Sequence, residues 1–135
     1  MPYSALIVDD SKVTRSMIRK SMVLAGIELG AVHEATNGRE AIAILESTWV
    51  DIVFADLNMP VMNGLEMLDE MSRRDLIKNT PVVIVSTERS QEKIDALAAK
   101  GAQAYLIKPF TPENMKDVVT KLLGESGSSQ RENSP

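Results

Sequence analysis

The chain has 135 residues, of which 44% are apolar and 25% are charged, and it contains no cysteine. This composition is typical of one globular domain in a reducing cytosol, and it excludes a disulfide scaffold, a thiolate site and a chain too polar to fold. The net charge of −4 without a basic stretch argues against a nucleic-acid partner. The apolar runs are too short for a signal peptide or a membrane span, so we expect a cytoplasmic protein, with a monomer as the default oligomeric state.

Strand-like apolar runs occur, in chain order, at residues 5–8, 31–35, 52–55, 82–85 and 104–107. Four of these runs do not alternate with polar residues, which is typical of parallel strands buried on both faces. The run 31–35 contains His33 and Glu34, and this polarity predicts a strand at the edge of the sheet.

Each strand-like run is followed by a segment with helical signals. These signals are Ser11 before residues 12–25, the turns Asn37-Gly38 and Asn63-Gly64 before two further helices, Ser90 and Gly101 around a fourth, and Thr111, Pro112 and Gly124 around a fifth. Five repeats of strand then helix predict a doubly wound, three-layer α/β domain in which a five-stranded parallel sheet lies between five helices. We expect residues 1–124 to form this domain, and the polar residues 125–135 to form a flexible tail.

Polar side chains follow the four strongest strands at the point where each strand ends. They are Asp9 and Asp10, then Asp56, then Ser86 and Thr87, then Lys108. Any one of them is more often a turn former or a helix cap, but the carboxyl ends of parallel strands meet at one edge of the sheet. Two carboxylates about 4 Å apart repel by about 4 kcal/mol at an effective dielectric of about 20. Three carboxylates and one lysine therefore predict an all-oxygen site for Mg²⁺, with Mn²⁺ as an alternative.

This arrangement indicates phosphoryl transfer to a carboxylate. The buried strand would aim Asp56 as a nucleophile, the metal and Lys108 would offset negative charge on the transferred group, and a strand-end hydroxyl would bond the product. Pro60 and Gly64 would shape the loop beside the nucleophile.

At these residues the chain resembles a response-regulator receiver domain of the stand-alone, CheY-like kind, over about residues 5–123. The resemblance rests on the segments IVDDS, DLNMPVMNG, VVIVSTE and AYLIKPF, which occur in the family's order at matching strand ends. It implies the flavodoxin-like strand order 2-1-3-4-5. It also implies a two-component signalling protein that is not an enzyme but assists its own phosphotransfer and autodephosphorylation.

The resemblance assigns a role to each residue of the acidic motif. Asp56 would be the phosphoacceptor, and Asp10, Asp56 and the backbone carbonyl of Asn58 would ligate Mg²⁺. Asp9 would act largely through water, and Lys108 would bridge toward the phosphoryl group.

A second set of residues matches two kinds of family position: those that change conformation on phosphorylation, and those that control the rate of dephosphorylation. Ser86 matches the switch hydroxyl, with Thr87 as the alternative, and Tyr105 matches the aromatic residue that turns inward. An edge-strand aromatic that covers a helix would explain Tyr105 equally well. Asn58 and Glu88 lie where the family tunes dephosphorylation.

The implied partners are a histidine kinase or a histidine phosphotransfer protein, an output protein and a phosphatase. No second domain is predicted, so we expect signalling by a change of partner at the face of the fourth helix, fifth strand and fifth helix. Chemotaxis, a phosphorelay and another single-domain response all remain open as the pathway.

Three other functions match parts of the pattern. A Mg²⁺-dependent phosphatase with an aspartate nucleophile needs a second acid two residues later, where this chain has Asn58. A flavin-binding module needs a phosphate loop where Asp9 and Asp10 would repel an anion. A scaffold that has lost phosphorylation would not need all three acids together with Lys108.

Overall fold

The computed structural model describes residues 2–124, so residue 1 and the predicted tail at residues 125–135 lie outside the described part of the chain. Within it, strands and helices alternate, and a short 3₁₀ helix precedes the fourth strand. Their bounds are β1 Tyr3–Val8, α1 Lys12–Leu24, β2 Leu29–Ala35, α2 Gly38–Ser47, β3 Ile52–Asp56, α3 Gly64–Arg73, the 3₁₀ helix Ile77–Asn79, β4 Val82–Ser86, α4 Gln91–Ala99, β5 Ala104–Ile107 and α5 Pro112–Leu123. The predicted succession of five strands and five helices is confirmed.

The strands form one parallel sheet in the order β2-β1-β3-β4-β5, which confirms the predicted topology and the edge position of β2. The other edge is β5, where only Leu106 is fully buried. The prediction that residues 104–107 are buried on both faces is therefore wrong. A strand with one neighbour is open along its other side, and the adjoining helices cover it only in part.

Apolar side chains pack on both faces of the sheet and form two cores. Along β1, Leu6 and Val8 belong to the core under α2 and α3, whereas Ala5 and Ile7 belong to the core under α1 and α5. Successive strand residues point to opposite faces, so a continuous apolar run supplies both cores at once. Within residues 2–124, no helix combines the length and the apolar character needed to cross a bilayer.

Each of the five α-helices begins with a side-chain cap. The capping residues are Ser11, Asn37, Asn63, Ser90 and Thr111, and each accepts a hydrogen bond from the backbone N–H three residues later. Because every helix follows the carboxyl end of a strand, all five caps lie at the same edge of the sheet. They hold the loops that carry the candidate site.

Candidate functional site

The acidic cluster consists of Asp9, Asp10 and Asp56, whose carboxylate oxygens approach within 4.8 Å of one another. Asp9 and Asp10 directly follow β1, and Asp56 is the last residue of β3. These two strands are neighbours in which Val8 pairs with Ala55. The strand order therefore brings the three acids together at the carboxyl edge of the sheet.

Asp9 is the buried member of the acidic cluster, with 2% of its surface exposed. Its Oδ1 accepts the N–H of Ser11 at 2.8 Å, whereas its buried Oδ2 accepts no hydrogen bond from the described residues. The Nζ of Lys108 lies 3.8 Å from that Oδ2. Burial raises the pKa of Asp9, and the Ser11 N–H and the Lys108 charge offset this only in part.

Asp56 is partly buried and shares the same ammonium group. The Nζ of Lys108 lies 3.9 Å from its Oδ1, which also accepts the N–H of Leu57 at 2.8 Å. Burial raises the pKa of Asp56, while the charge of Lys108 lowers it and that of Asp9 raises it. One lysine therefore faces two acids, and the third acid, Asp10, is exposed at the surface.

The donor set of the acidic cluster fits a hard dication. It offers carboxylate oxygens from three residues, with no sulfur or imidazole among them, and one buried oxygen lacks a hydrogen-bond donor. Mg²⁺ prefers oxygen ligands and retains several waters, so an open, oxygen-only site suits it. This cluster therefore has the residues to hold Mg²⁺.

The loop after Asp56 is shaped by close backbone packing. Gly64 donates its N–H to the carbonyl oxygen of Leu57 at 2.9 Å, and a Cβ at Gly64 would lie 2.6 Å from the backbone oxygen of Asp56. Only glycine allows this approach. Asn58 is exposed in the same loop, and its backbone N–H helps to favour the ionised form of Asp56, whose pKa burial otherwise raises.

The structure separates the two candidate hydroxyls. Ser86 is buried at the end of β4, one residue beyond Val85, which pairs with Asp56. Thr87, by contrast, is exposed. The hydroxyl of Ser86 accepts the N–H of Glu88 at 3.2 Å, so it lies at the site edge and holds the loop that follows.

Tyr105 and Glu88 lie beside that loop rather than in the acidic cluster. The hydroxyl of Tyr105 donates to the backbone oxygen of Glu88 at 2.8 Å, and burial raises the pKa of this tyrosine. The carboxylate of Glu88 accepts the N–H of Ser90 at 2.9 Å and lies 3.5 Å from the Nζ of Lys93. The Ser90 N–H is the main reason why the pKa of Glu88 is lowered.

Arg15 of α1 contacts the site although the sequence pattern did not predict it. Its Nη1 donates to the backbone oxygen of Asp9 at 2.7 Å, and its Nε donates to Oε1 of Glu34 at 2.6 Å. The available signal was Glu34, an acid in a strand-like run with a basic residue in the neighbouring helix.

The chain is similar to known proteins over most of its length. The family model for the response regulator receiver domain matches residues 5–120. The chemotaxis protein CheY of Thermotoga maritima is 33% identical over 122 residues, which cover 90% of this chain and 98% of that protein. The nitrate/nitrite response regulator NarL of Escherichia coli is 33% identical over 114 residues, and the chain spans about half of its length, 51%. The solved structure of chemotaxis response regulator CheY4 of Vibrio cholerae superposes with a TM-score of 0.79 at 35% identity, over 91% of this chain and 100% of that chain.

Proposed function

Because the chain belongs to the response regulator receiver domain family, whose members are phosphoacceptor switches, we propose that it receives a phosphoryl group on Asp56 and changes its protein partner as a result. The donor would be a histidine kinase or a histidine phosphotransfer protein. Residues 1–124 would form the receiver.

The position of Asp56 is the observation that carries this proposal. The carboxylate stands at the end of a strand whose other four residues are buried, beside two more acids and one lysine. A buried strand holds its last side chain in a fixed place, and this edge of the sheet is where ligands bind in such folds. Asp56 is therefore both rigidly aimed and reachable.

The proposed reaction transfers the phosphoryl group from a phosphohistidine to Asp56. An oxygen of Asp56 forms the new P–O bond while the P–N bond breaks, and the bonding electrons leave with the donor imidazole. The Oδ1 of Asp56 already accepts the Leu57 N–H, so Oδ2 is the less committed oxygen. Lys108 offsets charge on the transferred group, since its ammonium lies 3.9 Å from Oδ1 of the same carboxylate.

Asp9, Asp10 and Asp56 would hold Mg²⁺, or Mn²⁺ in its place, with the backbone carbonyl of Asn58 as a further ligand. When bound, the ion supplies positive charge for the phosphoryl oxygens. Among the described residues, Lys108 is the one ammonium within 4.0 Å of these carboxylates. One positive charge does not neutralise three acids, so the protein holds carboxylates that still repel one another until the ion binds.

The switch would run from Ser86 through the loop after β4. A phosphoryl oxygen on Asp56 would accept a hydrogen bond from the Ser86 hydroxyl and draw that hydroxyl away from the Glu88 N–H, which it now accepts at 3.2 Å. Release of that bond frees the Glu88 backbone, whose carbonyl oxygen holds the Tyr105 hydroxyl. Tyr105 then turns, and the face formed by α4, β5 and α5 binds a different partner.

Chemotaxis is the pathway we propose, because the CheY relatives match over nearly their whole length, and a phosphorelay is the alternative. Asn58 and Glu88 would set the rate of dephosphorylation, either spontaneous or assisted by a phosphatase. Asn58 is exposed two residues beyond Asp56, and Glu88 is held at the start of α4 by Ser90.

Acetyl phosphate tests the proposal without the natural donor. The purified chain is incubated with it in Mg²⁺ or in EDTA, and intact mass is read for one added phosphoryl group. We expect the adduct in wild type and in D95N, which alters an exposed aspartate of α4, and no adduct in D56N or in EDTA. An adduct that persists in D56N would assign the acceptor elsewhere, and a wild type that binds Mg²⁺ but is never modified would favour a scaffold.

A further inference from the structure

Arg15 joins three elements at the rim of the acidic cluster. Its side chain is 13% exposed on α1. One nitrogen donates to the backbone oxygen of Asp9, at the end of β1, and another donates to the carboxylate of Glu34 in the edge strand β2. The planar guanidinium makes the two contacts from two different nitrogens held in a rigid fork, whereas a lysine presents all its donors from a single nitrogen.

The contact with Asp9 acts on the peptide group that links two of the acids. The carbonyl oxygen of Asp9 lies in the same plane as the N–H of Asp10, because the peptide bond does not rotate. A hydrogen bond of 2.7 Å to that oxygen therefore fixes how the backbone enters both residues. Metal ligands must hold their oxygens within a fraction of an ångström, so the orientation of this peptide group matters for binding.

The charge of Arg15 works against a bound dication. A guanidinium beside the acidic cluster repels Mg²⁺, so a role based on charge alone predicts tighter binding when Arg15 is neutralised. A role based on geometry predicts the opposite. The direction in which Mg²⁺ affinity changes when Arg15 is neutralised therefore distinguishes the two explanations.

We propose that Arg15 is a positioning residue for the metal site, which clamps the Asp9–Asp10 peptide group to Glu34 so that both carboxylates face the ion. The inference rests on the proposed function of the acidic cluster. It concerns binding of the ion and not the transfer step.

Arg19 provides a matched control. It lies one turn further along α1 and approaches the same Glu34, with its Nη1 3.9 Å from Oε2. It is half exposed, and the described structure records no hydrogen bond from it to Asp9. Arg19 thus shares the charge, the helix and the partner of Arg15 but lacks the contact with the peptide group.

The experiment measures Mg²⁺ affinity of the unphosphorylated full chain by isothermal titration calorimetry, with no phosphodonor present. We expect R15Q to weaken binding about 10-fold, as loss of outer-shell partners commonly does. R15K should remain several-fold weaker than wild type, since it restores charge but not the two-pronged contact. R19Q should stay within about twofold of wild type or bind slightly more tightly.

E34Q keeps Arg15 and removes the charge that anchors it, so it tests the same clamp if R15Q does not fold. We expect it to weaken Mg²⁺ binding about threefold. Thermal unfolding in EDTA is recorded for every variant. A purely structural role for Arg15 would lower the melting temperature and leave the affinity of the folded protein unchanged.

Several results would overturn the inference: R15Q that binds Mg²⁺ as well as wild type or better, R19Q that weakens as much as R15Q, or a wild type that does not bind Mg²⁺. A wild type that binds Mg²⁺ but takes no phosphoryl group from acetyl phosphate would instead defeat the proposed function. In that case the affinities of R15Q and R19Q would still decide the role of Arg15.

Discussion

Two charged clusters in this molecule are built in opposite ways. The acidic cluster gathers three carboxylates, and the ammonium of Lys108 lies 3.8 Å and 3.9 Å from two of them, Asp9 and Asp56. The second, which we call the helix-end cluster, joins α2 to the end of α3 through two acids and two arginines at 2.5–2.6 Å: Glu46, Glu70, Arg73 and Arg74. The helix-end cluster is balanced by its own residues, and the acidic cluster is not.

The pKa values show the same contrast. The hydrogen bond from Arg74 is the main cause that lowers the pKa of Glu70, whereas burial raises the pKa values of Asp9 and Asp56. A group whose charged form is favoured in the fold contributes to stability, and a group whose charged form is disfavoured reduces it. The charges of the helix-end cluster therefore stabilise the fold. The charges of the acidic cluster destabilise it unless a cation binds from solution.

The largest effect should come from removing the single cation of the acidic cluster. K108M should slow modification by acetyl phosphate about 100-fold, because one preorganised charge at a reacting group commonly contributes about 100- to 1,000-fold. The rate is followed by intact mass in saturating Mg²⁺. R74M, which removes a cation of the helix-end cluster, should change that rate by less than about twofold. Equal rates in wild type and K108M would show that Lys108 does not act on the phosphoryl group.

The acidic cluster could be predicted from the sequence because its position follows from topology. Each strong apolar run ends in a polar residue, and parallel strands bring those ends together whatever the details of packing. The burial of residues 104–107 was predicted wrongly because a four-residue apolar run reads alike at the centre and at the edge of a sheet. The true extent of β2 was longer than residues 31–35, because Leu29 pairs with Tyr3 across a register shift.

Contacts made by long side chains between elements could not be predicted. Whether Arg15 reaches the backbone of Asp9 depends on the rotation of α1 against the sheet, which sequence spacing does not determine. The same holds for Tyr105 of β5, whose hydroxyl donates to the backbone oxygen of Glu88 in the loop after β4. The sequence predicted which residues lie at the strand ends, but it did not predict the direction in which their side chains point.

A smaller effect should appear in stability as a function of pH, measured by urea unfolding in EDTA. Burial raises the pKa of Asp9 in the folded state, so its penalty is absent below the unfolded value of about 3.9 and develops as pH rises through the folded value. D9N removes the penalty and retains an acceptor for the Ser11 N–H. We expect D9N to be more stable than wild type by about 0.5–2 kcal/mol at pH 7, with the gain vanishing near pH 3.

E70Q should show the reverse dependence. The pKa of Glu70 is lowered in the fold, chiefly by Arg74, so its contribution is present above the unfolded value and lost as pH falls. E70Q should therefore be less stable than wild type at pH 7 and equal to it in acid. If D9N and E70Q shifted stability in the same direction at pH 7, the contrast between the two clusters would not hold.

The smallest effect concerns backbone strain beside the acidic cluster. Val61 has a φ of 68°, and Met62 donates its N–H to the carbonyl oxygen of Pro60 at 2.7 Å, so Val61 is the centre of a γ-turn. Left-handed backbone costs a residue with a Cβ about 1–2 kcal/mol, while glycine costs about 0.5–1 kcal/mol in unfolded-chain entropy. V61G should therefore stabilise the chain by about 0.5 kcal/mol in EDTA at pH 7, since the exposed valine side chain contributes little packing.

Asp75 is the matched position away from the site. It is the other non-glycine residue with positive φ among residues 2–124, at 62°, and it lies between α3 and the 3₁₀ helix near the helix-end cluster. Aspartate tolerates this backbone better than a β-branched residue, and Asp75 also pairs with Lys78 at 3.3 Å, so D75G should give no gain. If V61G alone increases the free energy of unfolding, the backbone strain lies beside the acidic cluster. This is the expected result, because strained backbone conformations concentrate at functional sites. If D75G increases the free energy of unfolding more than V61G does, backbone strain is not a feature of the candidate site. The unbalanced charge would then be the one cost to stability that the acidic cluster imposes.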